Sequence, residues 1–186
     1  MRPLHEVNEY CIAMLVQAAR APRPDAFRLV IQLGDLLRGI TPEIHVRAAR
    51  KAFLLVDLEF ANGSWWQSLR SPKTRGTSSM SRGSFPRAGA IQLTRATLTL
   101  AWHVLHADEQ GRCLLGVTPA VAEVINGLSL AEIDRIAERS FRHVRPRWED
   151  RPAVWRQLLQ SSQTPDIRRA RESSLRCLQL ITGELL

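Results

Sequence analysis

Cysteine, tyrosine and lysine are scarce in this 186-residue chain. Tyr10 is the one tyrosine, and Lys51 and Lys73 are the two lysines among 26 basic residues. Cys11, Cys113 and Cys177 lie far apart, with no CxxC pair. That spacing excludes a locally encoded zinc site and a disulfide framework. Their helix-like apolar settings predict buried thiols. No apolar run approaches the ~20 residues of a membrane span. Met1 to Tyr10 carries charges and lacks the apolar core of a signal peptide. The expected location is the cytoplasm, with no membrane partner. Gly-rich phosphate loops, GxSxG and HExxH are all missing. His103 and His106 are spaced to share a helix face, but no carboxylate or cysteine follows at ligand spacing. They are read as helix surface or dimer contact. The expectation is a protein that is not an enzyme, with no cofactor and no metal.

What is present is arginine. Net charge is +8, and apolar residues make up 45% of the chain, enough for a real core. The guanidinium fork binds phosphate bidentately, so an Arg-rich basic chain suits a polyanionic partner; the same charge also serves as plain solvated surface. No Asp or Glu occurs from Phe60 to Ala107. Within that span, residues 70–90 are rich in Ser, Gly, Pro and Arg and lack hydrophobic periodicity, which predicts a linker. Its Arg70, Lys73, Arg75, Arg82 and Arg87 have no acidic neighbours in sequence. The segment is either a phosphate-contacting arm or a solvated tether. Met80 within it is a possible second translational start.

The remainder reads as helices. Leu4 to Arg20 carries Val7, Cys11, Met14, Leu15 and Ala18 at helical spacing, and Pro22 and Pro24 break it. Asp25 to Arg38 predicts a second helix, apolar at Phe27, Val30, Ile31, Leu33 and Leu37. Thr41-Pro42-Glu43 opens a third, expected to run to about Phe60. Asn62-Gly63 is a turn, followed by Trp65 and Trp66. Ile91 to Asp108 predicts a strong helix with Leu93, Ala96, Thr97, Leu100, Val104 and Leu105 on one side. The segments DLLRGITPEI and GRCLLGVTPAV look alike, which fits either a duplication or a recurring cap pattern.

Leu114 to Ser140 organises the second half. Thr118 is a good N-cap with Pro119 at the first helical position, and Asn126-Gly127 ends that short helix. Ser129 and Glu132 form a capping box for the next, whose Leu130, Ile133 and Ile136 share one face. Such a helix–turn–helix unit either packs or reads DNA. Arg139 to Arg156 follows with six arginines and two tryptophans. Pro146 ends helical structure near Arg145. Trp148 and Trp155, flanking Pro152, predict an apolar plug under a basic loop. Interleaved Arg and Trp serve nucleic acid or stack to complete a fold. Thr164-Pro165-Asp166 caps a closing helix to Leu186, with Ile167, Ala170, Leu175, Leu178, Ile181 and Leu185 inward and Arg168, Arg169, Arg171 and Arg176 outward.

From about residue 90 onward, the order of these features resembles the FlhD family, the helical subunit of the flagellar master transcription activator, and its mobile-element relatives. The resemblance rests on LTRATLTLAWHVLHAD leading into LLGVTPAVAEVINGLSLAEIDRIAE, then VRPRW, then a Leu-rich closing helix with Leu178-Gln179 and Leu185-Leu186. It covers about half of the chain. It implies an all-α fold, an intertwined homodimer, an FlhC-like zinc-binding partner subunit, promoter DNA and RNA polymerase. Enterobacterial members carry a cysteine that bridges subunits where this chain has Val144, so no such disulfide is implied. Residues 1–79 lie outside the pattern.

The expected organisation is all-α and bundle-like. A helical region (1–69) and a basic linker (70–90) precede a dimerisation and DNA-association domain (91–186). The expected function is a DNA-binding transcription activator subunit, gripping phosphates mainly through Arg139, Arg142, Arg145 and Arg147, then through Arg82 and Arg87 of the linker. The alternative is a protein-interaction module that regulates a partner without touching DNA.

Overall fold

The computed structural model describes residues 2–21, 28–70, 83–108 and 111–185. Its elements, in order, are α1 (Arg2–Arg20), α2 (Arg28–Arg38), α3 (Pro42–Ala49), β1 (Val56–Asp57), α4 (Gly63–Arg70), α5 (Arg87–Ala107), α6 (Gly111–Leu115), α7 (Pro119–Asn126), α8 (Leu130–Ser140), β2 (Arg145–Pro146), α9 (Pro152–Gln163) and α10 (Ile167–Leu185). The fold is all-α, with one two-stranded ladder of β1 and β2 among the described residues. No helix among these residues is long and apolar enough to cross a membrane.

Two compact units emerge, and neither follows the expected boundaries at 70 and 91. One comprises residues 1–56 and 146–180, the other residues 57–145 and 181–186. The first 69 residues and the last 96 are therefore not separate bodies. The expected linker falls partly on residues 71–82, outside the described region. Its C-terminal end is the start of α5, since Arg87 to Ala90 are already helical.

In the first unit, α1 packs on α2 and α3, and α9 packs on α2 and α3. Leu4, Val7, Cys11, Met14 and Leu15 of α1 face the core at helical spacing. Thr41 caps α3 by accepting from Ile44 N–H, and Pro42 sits where no N–H is needed.

The third helix ends at Ala49 rather than near Phe60. Phe53, Leu54, Leu55 and Val56 are all fully buried. The backbone that carries these four side chains is not helical, so they are buried on both sides of an irregular segment. Asn8 satisfies that backbone. Its buried amide donates to Ala49 O at 3.2 Å and Phe53 O at 3.0 Å, and its Oδ1 accepts from Leu55 N–H at 2.8 Å.

Pro152 starts α9, a helix the sequence reading missed, by occupying its first position. Trp155 and Trp148 are both buried, as the apolar plug requires. Trp155 Nε1 donates to Arg147 O at 2.6 Å, and Trp148 meets Phe53 edge-on at 6.1 Å.

In the second unit, α5 is central. Ala90, Leu93, Thr94, Thr97, Leu98, Leu100, Ala101 and Leu105 are buried, more than one side of the helix. It packs against α6, α7 and α8, and α4 packs against α7. Asn62 caps α4 by accepting from Trp65 N–H at 3.1 Å. Trp66 is fully buried, stacked on Phe60 at 6.2 Å, with Nε1 donating to Leu58 O and Glu59 O. Thr118 does not cap α7 through its side chain; instead its hydroxyl and N–H both address Phe60 O.

The closing helix differs too. Within the expected cap Thr164-Pro165-Asp166, Asp166 supplies the acceptor for α10, with Oδ1 accepting from Arg168 and Arg169 N–H. Its buried residues are Ser173, Cys177 and Ile181, a stripe at spacing four, while Ile167 and Leu175 are exposed. Arg168, Arg169, Arg171 and Arg176 face outward. Cys11 and Cys177 are buried, but Cys113 is exposed, since α6 buries Gly111 and Leu115 instead.

Candidate nucleic-acid interface

The helix pair α7–α8 forms, with the punctuation of α8 as the sequence predicts. Ser129 Oγ accepts from Glu132 N–H, and Glu132 Oε2 accepts from Ser129 N–H at 2.8 Å, a complete capping box. Ile133, Ile136 and Ala137 are buried against α5. Leu130, placed on the same face by the sequence, is 64% exposed. It is the first helical residue, where the helix has not yet met its packing partner. One face of α8 is tied to α5 by Arg95, whose Nε reaches Asp134 Oδ1 at 2.6 Å.

Phe141 follows α8 and is the pivot of the basic cluster. The Arg142 guanidinium lies 5.7 Å from its ring centroid, and the Arg87 guanidinium, from the start of α5, lies 5.5 Å away. Arg139 is exposed one residue before the end of α8, where positive charge also complements the helix dipole. Gly83 lets the incoming chain lie close, because a Cβ there would stand 3.1 Å from Arg142 Cα. Arg87, Arg139 and Arg142 are exposed, and no carboxylate pairs with them among the described residues. Stacking on an aromatic face orients a guanidinium while leaving its N–H edge for another acceptor.

The other two arginines of the expected set are engaged differently. Arg145 is held by acids: Nη2 is 2.8 Å and Nε 2.9 Å from Asp57 Oδ2, and Nη1 is 3.3 Å from Glu59 Oε1. Those carboxylates are 19% and 22% exposed, so Arg145 is neutralised in place. Arg147 is 3% exposed, its N–H bonded to Leu55 O at 2.8 Å and its guanidinium 6.0 Å from the Trp148 ring. A side chain so enclosed does not reach a phosphate in this conformation. Arg82 lies outside the described residues, as do Lys73 and Arg75. The structure thus brings Arg87 and Arg142 together on Phe141 and leaves Arg139 exposed near the end of α8, whereas Arg145 is held by Asp57 and Glu59 and Arg147 is buried.

Sequence reasoning missed two parts of this arrangement. Phe141 was legible as an aromatic inside an Arg run, but its role as a platform needs Arg87, 54 positions earlier in sequence. Asp57 and Glu59 left no local trace as partners of Arg145, which is 88 residues from Asp57.

His143 follows Arg142 directly in sequence. Its ring meets Trp65 at 4.7 Å. Burial holds its pKa below the usual histidine range, with Glu59 opposing that shift and Arg145 adding to it. His103 and His106 instead flank Trp102, at 5.1 and 4.2 Å between ring centroids. Among the described residues, no group of three His, Cys, Asp or Glu side chains is placed to hold a metal ion. In comparisons with known proteins, no family model, curated protein or solved structure matches the chain.

Proposed function

We propose that the chain is a DNA-binding transcription activator subunit of the FlhD type, contacting duplex DNA largely through phosphates. The observation that carries this reading is the pair Arg87 and Arg142 set against the Phe141 ring, with Arg139 exposed two residues before it, all three without acidic partners among the described residues. Net charge of +8 supplies the long-range attraction. Contacts of this kind position a protein on the duplex and do not read sequence, so sequence choice falls to a partner. In this reading the subunit is a cytoplasmic homodimer that works with an FlhC-like zinc-binding subunit and RNA polymerase. Arg145 and Arg147 hold the fold; Arg87, Arg139 and Arg142 hold DNA.

The competing role, a protein-interaction module that never touches DNA, draws on Leu130, the large apolar side chain left open at the head of α8. Fluorescence anisotropy with a labelled duplex at low salt separates the two. The activator reading expects binding, alone or with a coexpressed partner. A chain that retains its partner yet leaves the duplex free at every salt concentration is an interaction module instead.

A further inference from the structure

The first unit contains a groove of 560 Å³ bordered by the ends of α3 and α9 and the first three turns of α10. One wall is aliphatic: Pro165, Ile167, Ala170, Leu175 and Leu178. The opposite side is basic, with Arg47, Arg50 and Lys51, and Arg171 on the rim. Asp166 is the one acid in the lining, and it is occupied in capping α10.

Arg47 is committed as well. Its Nε donates to Ser162 O at 2.8 Å and its Nη2 to Gln163 O at 3.3 Å, so it closes the carbonyl end of α9. Lys51 is different. It is 4% exposed, and among the described residues its ammonium has no hydrogen bond and no carboxylate. A shielded ammonium without a counter-ion is costly: it gives up its proton more readily, or it is paired by an anion that enters the groove it lines. Its ammonium interacts electrostatically with the buried Cys177 thiol, whose own pKa is pushed up to about 11 by burial. Burial likewise holds the Lys51 pKa below the ordinary lysine value.

We propose that this groove binds a small amphipathic carboxylate, with its acid head on Lys51 and its hydrocarbon body along Ile167, Ala170, Leu175 and Leu178. The volume lies within the range of small-ligand sites, and a mostly apolar lining with one buried charge is their usual composition. A bare inorganic anion would leave the aliphatic wall uncovered. A neutral lipid would leave the ammonium unpaired. The site is independent of the DNA reading, since it shares no residue with the Phe141 cluster.

Calorimetry on the full chain with decanoate and with decan-1-ol tests it. Decanoate is expected to bind one per chain and at least about tenfold more tightly than the alcohol, the worth of one charge-assisted bond in a shielded site. Lys51→Met should erase that preference while leaving alcohol binding in place. Ala170→Trp, on the half-exposed wall, should weaken both ligands and keeps the test valid if the lysine variant does not fold. The proposal is overturned by equal affinity for acid and alcohol, by a preference that survives Lys51→Met, or by no saturable decanoate binding below its micelle concentration. Sedimentation showing the groove closed by a second copy, with Ala170→Trp releasing monomers that still ignore decanoate, overturns it too.

Discussion

Replacing Arg145 by Ala separates the two roles that the arginine-rich segment combines. The side chain spans Asp57 and Glu59, each about four-fifths buried. Deleting it leaves two shielded carboxylates without their shared cation. Breaking a fully buried pair costs about 3–5 kcal/mol and a surface pair about 0–1 kcal/mol. Arg145 is itself 39% exposed, so the cost falls between, at about 2 kcal/mol. For a chain of this size that corresponds to a fall of about 4–8 °C in melting temperature. Circular dichroism during heating and in urea reads the loss, and Arg145→Lys should recover only part of it, because an ammonium cannot reach both acids in the forked geometry. DNA affinity, measured well below the transition, should keep its salt dependence. The reasoning fails if the variant melts within 1 °C or so of the parent while its salt dependence drops as it does for Arg142→Ala.

Three further outcomes follow from the packing. Gly111→Ala should destabilise by about 1–3 kcal/mol, because its Cβ would collide with Val104 Cγ1, and adding Val104→Ala should restore much of the loss in thermal melts. Thr97 Oγ1 is buried with no hydrogen-bond partner among the described residues, so Thr97→Val should stabilise by about 1 kcal/mol, read as a higher urea midpoint at unchanged slope. His143 has a depressed pKa in the fold, so the unfolded chain takes up its proton first. The stability it contributes is complete above about pH 6.5 and declines as pH falls toward the folded value. His143→Gln should therefore flatten part of the fall in melting temperature between about pH 7 and pH 5, and a steeper fall would contradict the assignment.

Local chemistry made much of the fold legible. Thr41-Pro42 and Ser129 with Glu132 announced the starts of α3 and α8, because caps act within four residues. The apolar spacing of α1 and α5 was equally plain. Errors came where distant groups decide. The run Phe53 to Val56 is apolar enough for a helix, but its backbone partners are distant: Asn8, more than 40 positions earlier, bonds Phe53 and Leu55, and Arg147 N–H bonds Leu55 O. Trp148 adopts a positive φ of 56°, strained for a large side chain, so Trp148 and Arg147 turn inward in a way no pattern of Arg and Trp announces. In α10 the buried stripe runs through Ser173 and Cys177 and passes by Leu175, against what hydrophobicity alone suggests. For the candidate site, charge excess singled out the segment 139–147, but which of its arginines are engaged by the fold depended on groups such as Asp57 and Glu59, invisible from that segment alone.

The central claim is that Arg87, Arg139 and Arg142 are the phosphate-contacting cations. Duplex binding measured from about 50 to 200 mM salt, for the parent chain and for the triple alanine variant, tests it most directly. Three lost phosphate contacts should lower the log–log slope by about 3 and weaken all duplex sequences alike. An unchanged slope in the triple variant, or a loss confined to one sequence, would contradict the account.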